Sequence, residues 1–179
     1  MEVKLVYPFN FTFIDYPDNE SYALLIHFLG CDLTCMNCIN PKLRKFDFNE
    51  GVISFTVEGF INEAANILIK NNNCNKLVLT GGDPCHNQNI PFVKKVLFLI
   101  GNFIDVCIYT GQDFQYIKST GLTGFKFLKC GSYVERLKQE SKKTDTYIQF
   151  ASKNQNLYDS NYNKISENGR YYFLKEGVS

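Results

Sequence analysis

The chain predicts an α/β protein with a parallel sheet and flanking helices. Short apolar runs of strand length alternate with segments of helical periodicity, which is the pattern of parallel βαβ units. The segments richest in chemistry, a cysteine loop, a Gly81-Gly82 turn and Thr110-Gly111, each follow a strand directly. With 179 residues, 45% hydrophobic and 21% charged, the chain has material for one globular domain with a real core. This order fits either an open doubly wound sheet or a partial (β/α) barrel. In both, ligands sit at the C-terminal ends of the strands.

The elements follow in order. Tyr22–Phe28 is an apolar run broken only by His27 and reads as a buried strand, with Gly30 where a tight turn into the next loop needs it. After that loop the chain is polar to about Gly51. Thr56–Lys70 places Phe60, Ala64, Ile67 and Leu68 at helical spacing behind a Thr56 N-cap, with Gly59 where a capping-box Glu would stand. Lys76–Thr80 is a strand stopped by Gly81-Gly82, and Pro91–Ile100 a helix with Pro in its first turn. Ile104–Tyr109 is a strand, Asp113–Lys118 a short helix, Phe125–Cys130 a strand and Val134–Glu140 helical. From Ser141 the chain turns polar and rich in Asn and Ser, with a late apolar patch at Tyr171–Leu174.

Composition narrows the function. A formal net charge of +1 provides no basic footprint for nucleic acid. No apolar run approaches the roughly 18–20 residues of a membrane span. The N-terminal stretch lacks the charged-then-apolar order of a signal peptide. Seven cysteines then point to a reducing compartment, and a cytoplasmic location is expected.

Cys31, Cys35 and Cys38 stand at C-x3-C-x2-C within FLGCDLTCMNCINP. Three readings compete: buried thiols, part of a zinc site, or an iron–sulfur loop. Zinc sites favour a second C-x2-C pair or histidines. Here C-x2-C occurs once, and the histidines are His27 and His86. Iron–sulfur clusters usually take four thiolates. Three close cysteines would leave one iron open, as catalytic metal sites leave a position for substrate.

One βα unit later, residues 80–84 read TGGDP. Taken alone this is a strand-to-helix turn. After a three-cysteine loop it resembles the radical S-adenosylmethionine (SAM) superfamily, whose members carry C-x3-C-x2-C after the first strand and GGE or GGD after the second. GCDLTCMNCIN, TGGDPCHNQNIP, IYTGQDF, LKCGSYVERLK and SKNQNLY, in that order, are similar to one subfamily. That subfamily comprises the activating proteins of the anaerobic (class III) ribonucleoside-triphosphate reductase, and the likeness covers roughly residues 20–158. Asn37 stands where many radical SAM enzymes have an aromatic residue and this subfamily often has Gly. Ile39 replaces a polar or aromatic residue, and Gln112 the aromatic residue after Thr-Gly.

The resemblance implies a partial (β/α) barrel in which Cys31, Cys35 and Cys38 hold a [4Fe–4S] cluster, with its fourth iron taking the amino and carboxylate groups of SAM. Gly81, Gly82 and Asp83 would lie at the SAM amino group. The backbone at Asn37 and Ile39 would contact SAM at its adenine, and Tyr109 to Gly111 would border the pocket. Reductive cleavage of SAM would give a 5′-deoxyadenosyl radical that takes hydrogen from a glycine of the large catalytic reductase subunit. An electron donor such as flavodoxin is a further implied partner. The cofactors carry this chemistry, so no acid–base pair is expected. Cys107 and Cys130 read as core thiols, Cys74 as incidental, and Cys85 as the one remaining cysteine at a site position. His27 reads as a satisfied core histidine and His86 as a surface residue. The competing functions are activation of another glycyl radical enzyme, a small-molecule radical SAM enzyme of the deazapurine synthase kind, and an electron-transfer iron–sulfur protein.

Overall fold

A computed structural model describes residues 1–19, 22–71 and 74–173. The strands are β1 (Glu2–Val6), β2 (Asn10–Thr12), β3 (Ala23–Phe28), β4 (Val52–Thr56), β5 (Lys76–Gly81), β6 (Asp105–Tyr109), β7 (Phe127–Cys130), β8 (Lys142–Lys143), β9 (Tyr147–Gln149), β10 (Asn156–Asp159) and β11 (Arg170–Tyr172). The α-helices are α1 (Val57–Lys70), α2 (Ile90–Ile100) and α3 (Phe114–Ser119). The fold is mixed α/β. Its main sheet runs β10-β7-β6-β5-β3-β1-β4, with β2 paired to β3. β3, β5, β6 and β7 are parallel neighbours in chain order. β1, β2, β4 and β10 pair antiparallel around them.

Strands that advance in chain order through right-handed crossovers put their connecting helices on one face of the sheet. The side chains divide accordingly. Leu24, Ile26, Phe28, Leu77, Leu79, Val106, Ile108 and Leu128 join the core cluster that holds Phe60, Ala64 and Leu68 of α1, Val93, Val96 and Leu97 of α2, and Ile117 of α3. Ile67 packs against that core from a partly buried position. The alternate residues, Ala23, Val78 and Cys107, gather with Tyr16 on the other face. Thr56 caps α1 by accepting the Gly59 N–H at 3.1 Å, and Asp113 caps α3 by accepting that of Tyr116 at 2.9 Å.

Three features differ from the sequence-based expectations. β1 and β4 extend the sheet beyond β3, with Val3 and Leu5 buried at alternate positions. Residues after 141 build a second sheet, β11-β9-β8, whose Ile148 and Phe150 pack with Leu157 beside Tyr109 and Phe127. Tyr171 and Phe173 of the late apolar patch join that cluster, while Leu174 lies outside the described residues. The expected helix at Val134–Glu140 is only a 3-10 turn, Glu135–Leu137. So short a helix is marginal without tertiary support, and the flanking backbone is drawn elsewhere. Gln139 N–H donates to the Ala151 carbonyl and Lys153 N–H to that of Leu137, both at 2.9 Å.

Candidate functional site

The C-terminal end of β3 is laced to the turn after β5. Gly82 N–H donates to the Phe28 carbonyl at 2.7 Å, and Asp83 N–H to that of Gly30 at 2.8 Å. The chain returning from the cysteine loop closes on the same point. Gly30 N–H donates to the Leu43 carbonyl at 2.8 Å and Cys31 N–H to that of Arg44 at 3.0 Å, on the 3-10 turn Pro41–Arg44. Such close backbone approach requires glycine. A Cβ on Gly82 would stand 2.6 Å from the Leu43 carbonyl oxygen and 2.7 Å from that of Gly30. Gly81 has φ +110°, and its Cβ would meet the Phe28 backbone at 2.5 Å. The Asn89 amide completes the frame by donating to the carbonyls of Leu29 and Asp83, each at 2.8 Å.

From this frame the loop carries all three cysteines into the wall of one cavity of about 440 Å³. Gly81, Gly82, Thr80, Asn37, Ile39 and Tyr109 to Gly111 line the same space. The three thiols are half-buried and form no disulfide. Among the described residues no three His, Cys, Asp or Glu side chains converge on one point as ligands of a single ion do. A four-iron cluster asks for something else, one thiolate on each of several irons. Three uncommitted thiols around one wall fit that requirement, with the remaining side open to the cavity. Burial, with Asp83, Cys35 and Cys38 as neighbouring negative charges, pushes the Cys31 thiol up to about 11. Bound iron would supply the opposing positive charge. Asn37 adopts φ +57°, and its amide donates to Glu135 at 3.2 Å across the mouth of the loop. Ile39 is 91% exposed.

Asp83 does not line the cavity. Its carboxylate is buried and accepts from the Thr110 hydroxyl at 2.8 and 3.0 Å, the Cys85 N–H at 2.8 Å and the Gly111 N–H at 3.2 Å. Burial pushes its carboxyl up, against the pull of these bonds. The residue ties the end of β5 to that of β6, and Gly81 and Gly82 present the turn to the cavity.

His86 is buried, contrary to the surface position expected for it. The Phe46 ring packs edge-on at 5.0 Å, and Asp32 reaches it from the cysteine loop. Gln88 N–H donates to its Nδ1 at 3.1 Å, so its Nε2–H donates to the Asp32 carboxylate at 2.8 Å. His27 is half-buried on the sheet face opposite the helices, its pKa lowered chiefly by burial, and no described residue hydrogen-bonds its ring. Cys85, Cys107 and Cys130 are buried. Cys74 is half-buried, its thiol 3.3 Å from the Tyr22 carbonyl.

Sequence reasoning missed Lys129 and Arg44. Lys129 is buried in β7 beside Tyr109, its register partner in β6, and both line the cavity. Burial lowers its ammonium to about 8. The signal was a lysine inside the apolar run FKFLKC. Arg44 lines the cavity with a buried Nε that has no hydrogen-bond partner.

Among the described residues no helix is long and apolar enough to cross a membrane. No curated protein matches the chain. The profile of the 4Fe-4S single cluster domain matches residues 21–158, most of the sheet and the whole of the cysteine loop. By this match the chain belongs to the 4Fe-4S single cluster domain family.

Proposed function

We propose that the protein is a radical SAM glycyl-radical activase of the class III ribonucleotide reductase type, acting in an anaerobic cytoplasm. In this reading the main sheet is the partial barrel of that class. Cys31, Cys35 and Cys38 would hold a [4Fe–4S] cluster, and SAM would fill the cavity. Together, cluster and SAM supply one-electron reductive cleavage that yields a radical able to take hydrogen from a glycine Cα. The chain binds and orients. Gly81 and Gly82 let backbone approach the ligand, Asp83 holds Thr110 and Gly111 in place, and Ile148 and Gln149 of the second sheet contribute to the cavity wall.

The observation that carries this reading is the meeting of three free thiols, the Gly-Gly turn and Tyr109 to Gly111 on one cavity of about 440 Å³. That volume lies at the small end of the roughly 300–1,000 Å³ of ligand pockets. It suits one ligand of SAM's size and leaves little space for a second small molecule. A substrate presented at the mouth by a large partner, the catalytic reductase subunit, fits better. The test is anaerobic reconstitution with iron and sulfide, then SAM and a strong reductant or a flavodoxin. Methionine release with a glycyl radical on the added large subunit, read by electron paramagnetic resonance, is the expected result. Turnover of a small molecule with no partner present would refute the activase reading.

A further inference from the structure

The first half of the cysteine loop is held from inside the protein. Asp32 follows Cys31, and its carboxylate accepts the Nε2–H of His86 at 2.8 Å. The Asp32 side chain is 79% exposed and that of His86 only 4%. The buried donor is itself fixed. His86 N–H donates to the Asp83 carbonyl at 3.1 Å, its own carbonyl accepts from Asn89 and Ile90 at 2.9 Å, and Gln88 N–H occupies its Nδ1 at 3.1 Å. The Phe46 ring lies edge-on to the imidazole and also covers Gly30, where any side chain would overlap it. Leu33, next after Asp32, packs so closely on Gly111 that a side chain there would collide with it. Between Cys35 and Cys38 the hold is looser, an exposed bond from Asn37 to Glu135 at 3.2 Å. A carboxylate at the surface gains little stability from a protein partner, because water serves it nearly as well. What the bond to His86 does restrict is the backbone of residue 32, and with it the thiol one residue away.

We propose that His86 is a positioning residue that, through Asp32, sets the Cys31 thiol in place before iron arrives. The inference rests on the cysteine loop being the cluster loop. A loop free to wander must be ordered as metal binds, at a cost in chain entropy. A bond from a rigid imidazole to the residue beside a ligand removes part of that cost in advance. Hydrogen-bonding groups that orient metal ligands are typically worth 10–100-fold in metal affinity.

The experiment times iron release to excess chelator from anaerobically reconstituted parent, Asp32→Ala, Asp32→Asn, His86→Phe and the double variant Asp32→Ala/His86→Phe. The electron paramagnetic resonance spectrum of each reduced cluster is recorded alongside. Val96→Ala, in the buried face of α2, serves as a control for loss of general stability. Asp32→Ala should release iron about tenfold faster and alter the spectrum, the low end of the range for such groups. Asp32→Asn should stay near the parent, because its amide oxygen still accepts from His86. The double variant should be no faster than His86→Phe, as two partners of one bond require. Val96→Ala should melt lower yet release iron at the parental rate. If His86→Phe does not fold, the two variants at exposed Asp32 carry the test. Parental release from Asp32→Ala, release from Asp32→Asn as fast as from Asp32→Ala, or equal quickening in Val96→Ala overturns the positioning role and leaves the cluster reading standing. A parent that takes up no iron overturns both.

Discussion

Replacing Lys129 by Met should make the folded protein more stable at neutral pH. Burial lowers the ammonium from 10.5 to about 8. At about 1.4 kcal/mol for each tenfold change in proton affinity, a charged Lys129 costs the fold about 3 kcal/mol. The rings of Tyr109 and Phe150 return part of this, roughly 0.5–1 kcal/mol each. The net gain for Lys129→Met, which keeps a stem of similar length between the rings, is about 1–2 kcal/mol. In a chain of 179 residues that raises the melting temperature by about 3–6 °C. The sign follows from proton counting. Below about pH 8 folded and unfolded states both carry the proton, and the full cost is present. Between about 8 and 10.5 the unfolded state binds more protons, so the parent gains stability as pH rises and the advantage of the variant shrinks. Urea unfolding of cluster-free protein followed by circular dichroism at pH 7 and pH 10 measures both effects. A variant less stable than the parent at pH 7, or an advantage that does not change with pH, would refute the reasoning.

Three further outcomes are expected. Reconstituted protein should hold about four irons per chain, the content of a [4Fe–4S] centre. Ala at Cys31, Cys35 or Cys38 should lower iron retention and abolish SAM cleavage, while Cys74→Ala leaves both unchanged; loss of iron from Cys74→Ala would instead favour a four-cysteine structural site. Gly82→Val should destabilise the protein by several kcal/mol or prevent folding, because its Cβ would meet the Leu43 and Gly30 backbone below 3.0 Å, and a normal melting curve would contradict this. Asn37→Gly should retain iron and stability, whereas Asn37→Val should cost about 1–2 kcal/mol for a left-handed residue and loosen the loop, as a chelator-challenge assay would show.

What was legible in the chain is what local chemistry dictates. The parallel strands announced themselves as apolar runs because they are covered on both faces. The three cysteines and Gly81-Gly82 stood out by their order along the chain, a thiol loop and then a glycine turn each directly after a strand, and the structure sets both in the wall of one cavity. The φ of Asn37 gives a backbone reason for Asn or Gly at that position, where the resemblance offered only a pattern. The rest depends on distant partners. β8 and β9 have two and three residues, too few for a periodic signal. His86 is buried by a ring forty positions earlier and bonded to an aspartate in the cysteine loop. Asp83 looked like a ligand-facing acid until Thr110 and Gly111 were found to occupy it.

The lacing around the cysteine loop bears on how the metal centre is made. The anchor points of the loop, Gly30 to Leu43 and Cys31 to Arg44, are backbone bonds, and the turn beside them is held by Asn89 and a buried hydrophobic core. None of these interactions uses a cysteine sulfur. Small zinc domains couple folding to metal uptake because the metal is their core. Here the scaffold has its own source of stability, and the thiols wait half-exposed on a loop that is already framed. Synthesis can therefore run in two stages, chain first and inorganic part second. An oxidised, stripped centre could then be rebuilt on the same polypeptide without unfolding it.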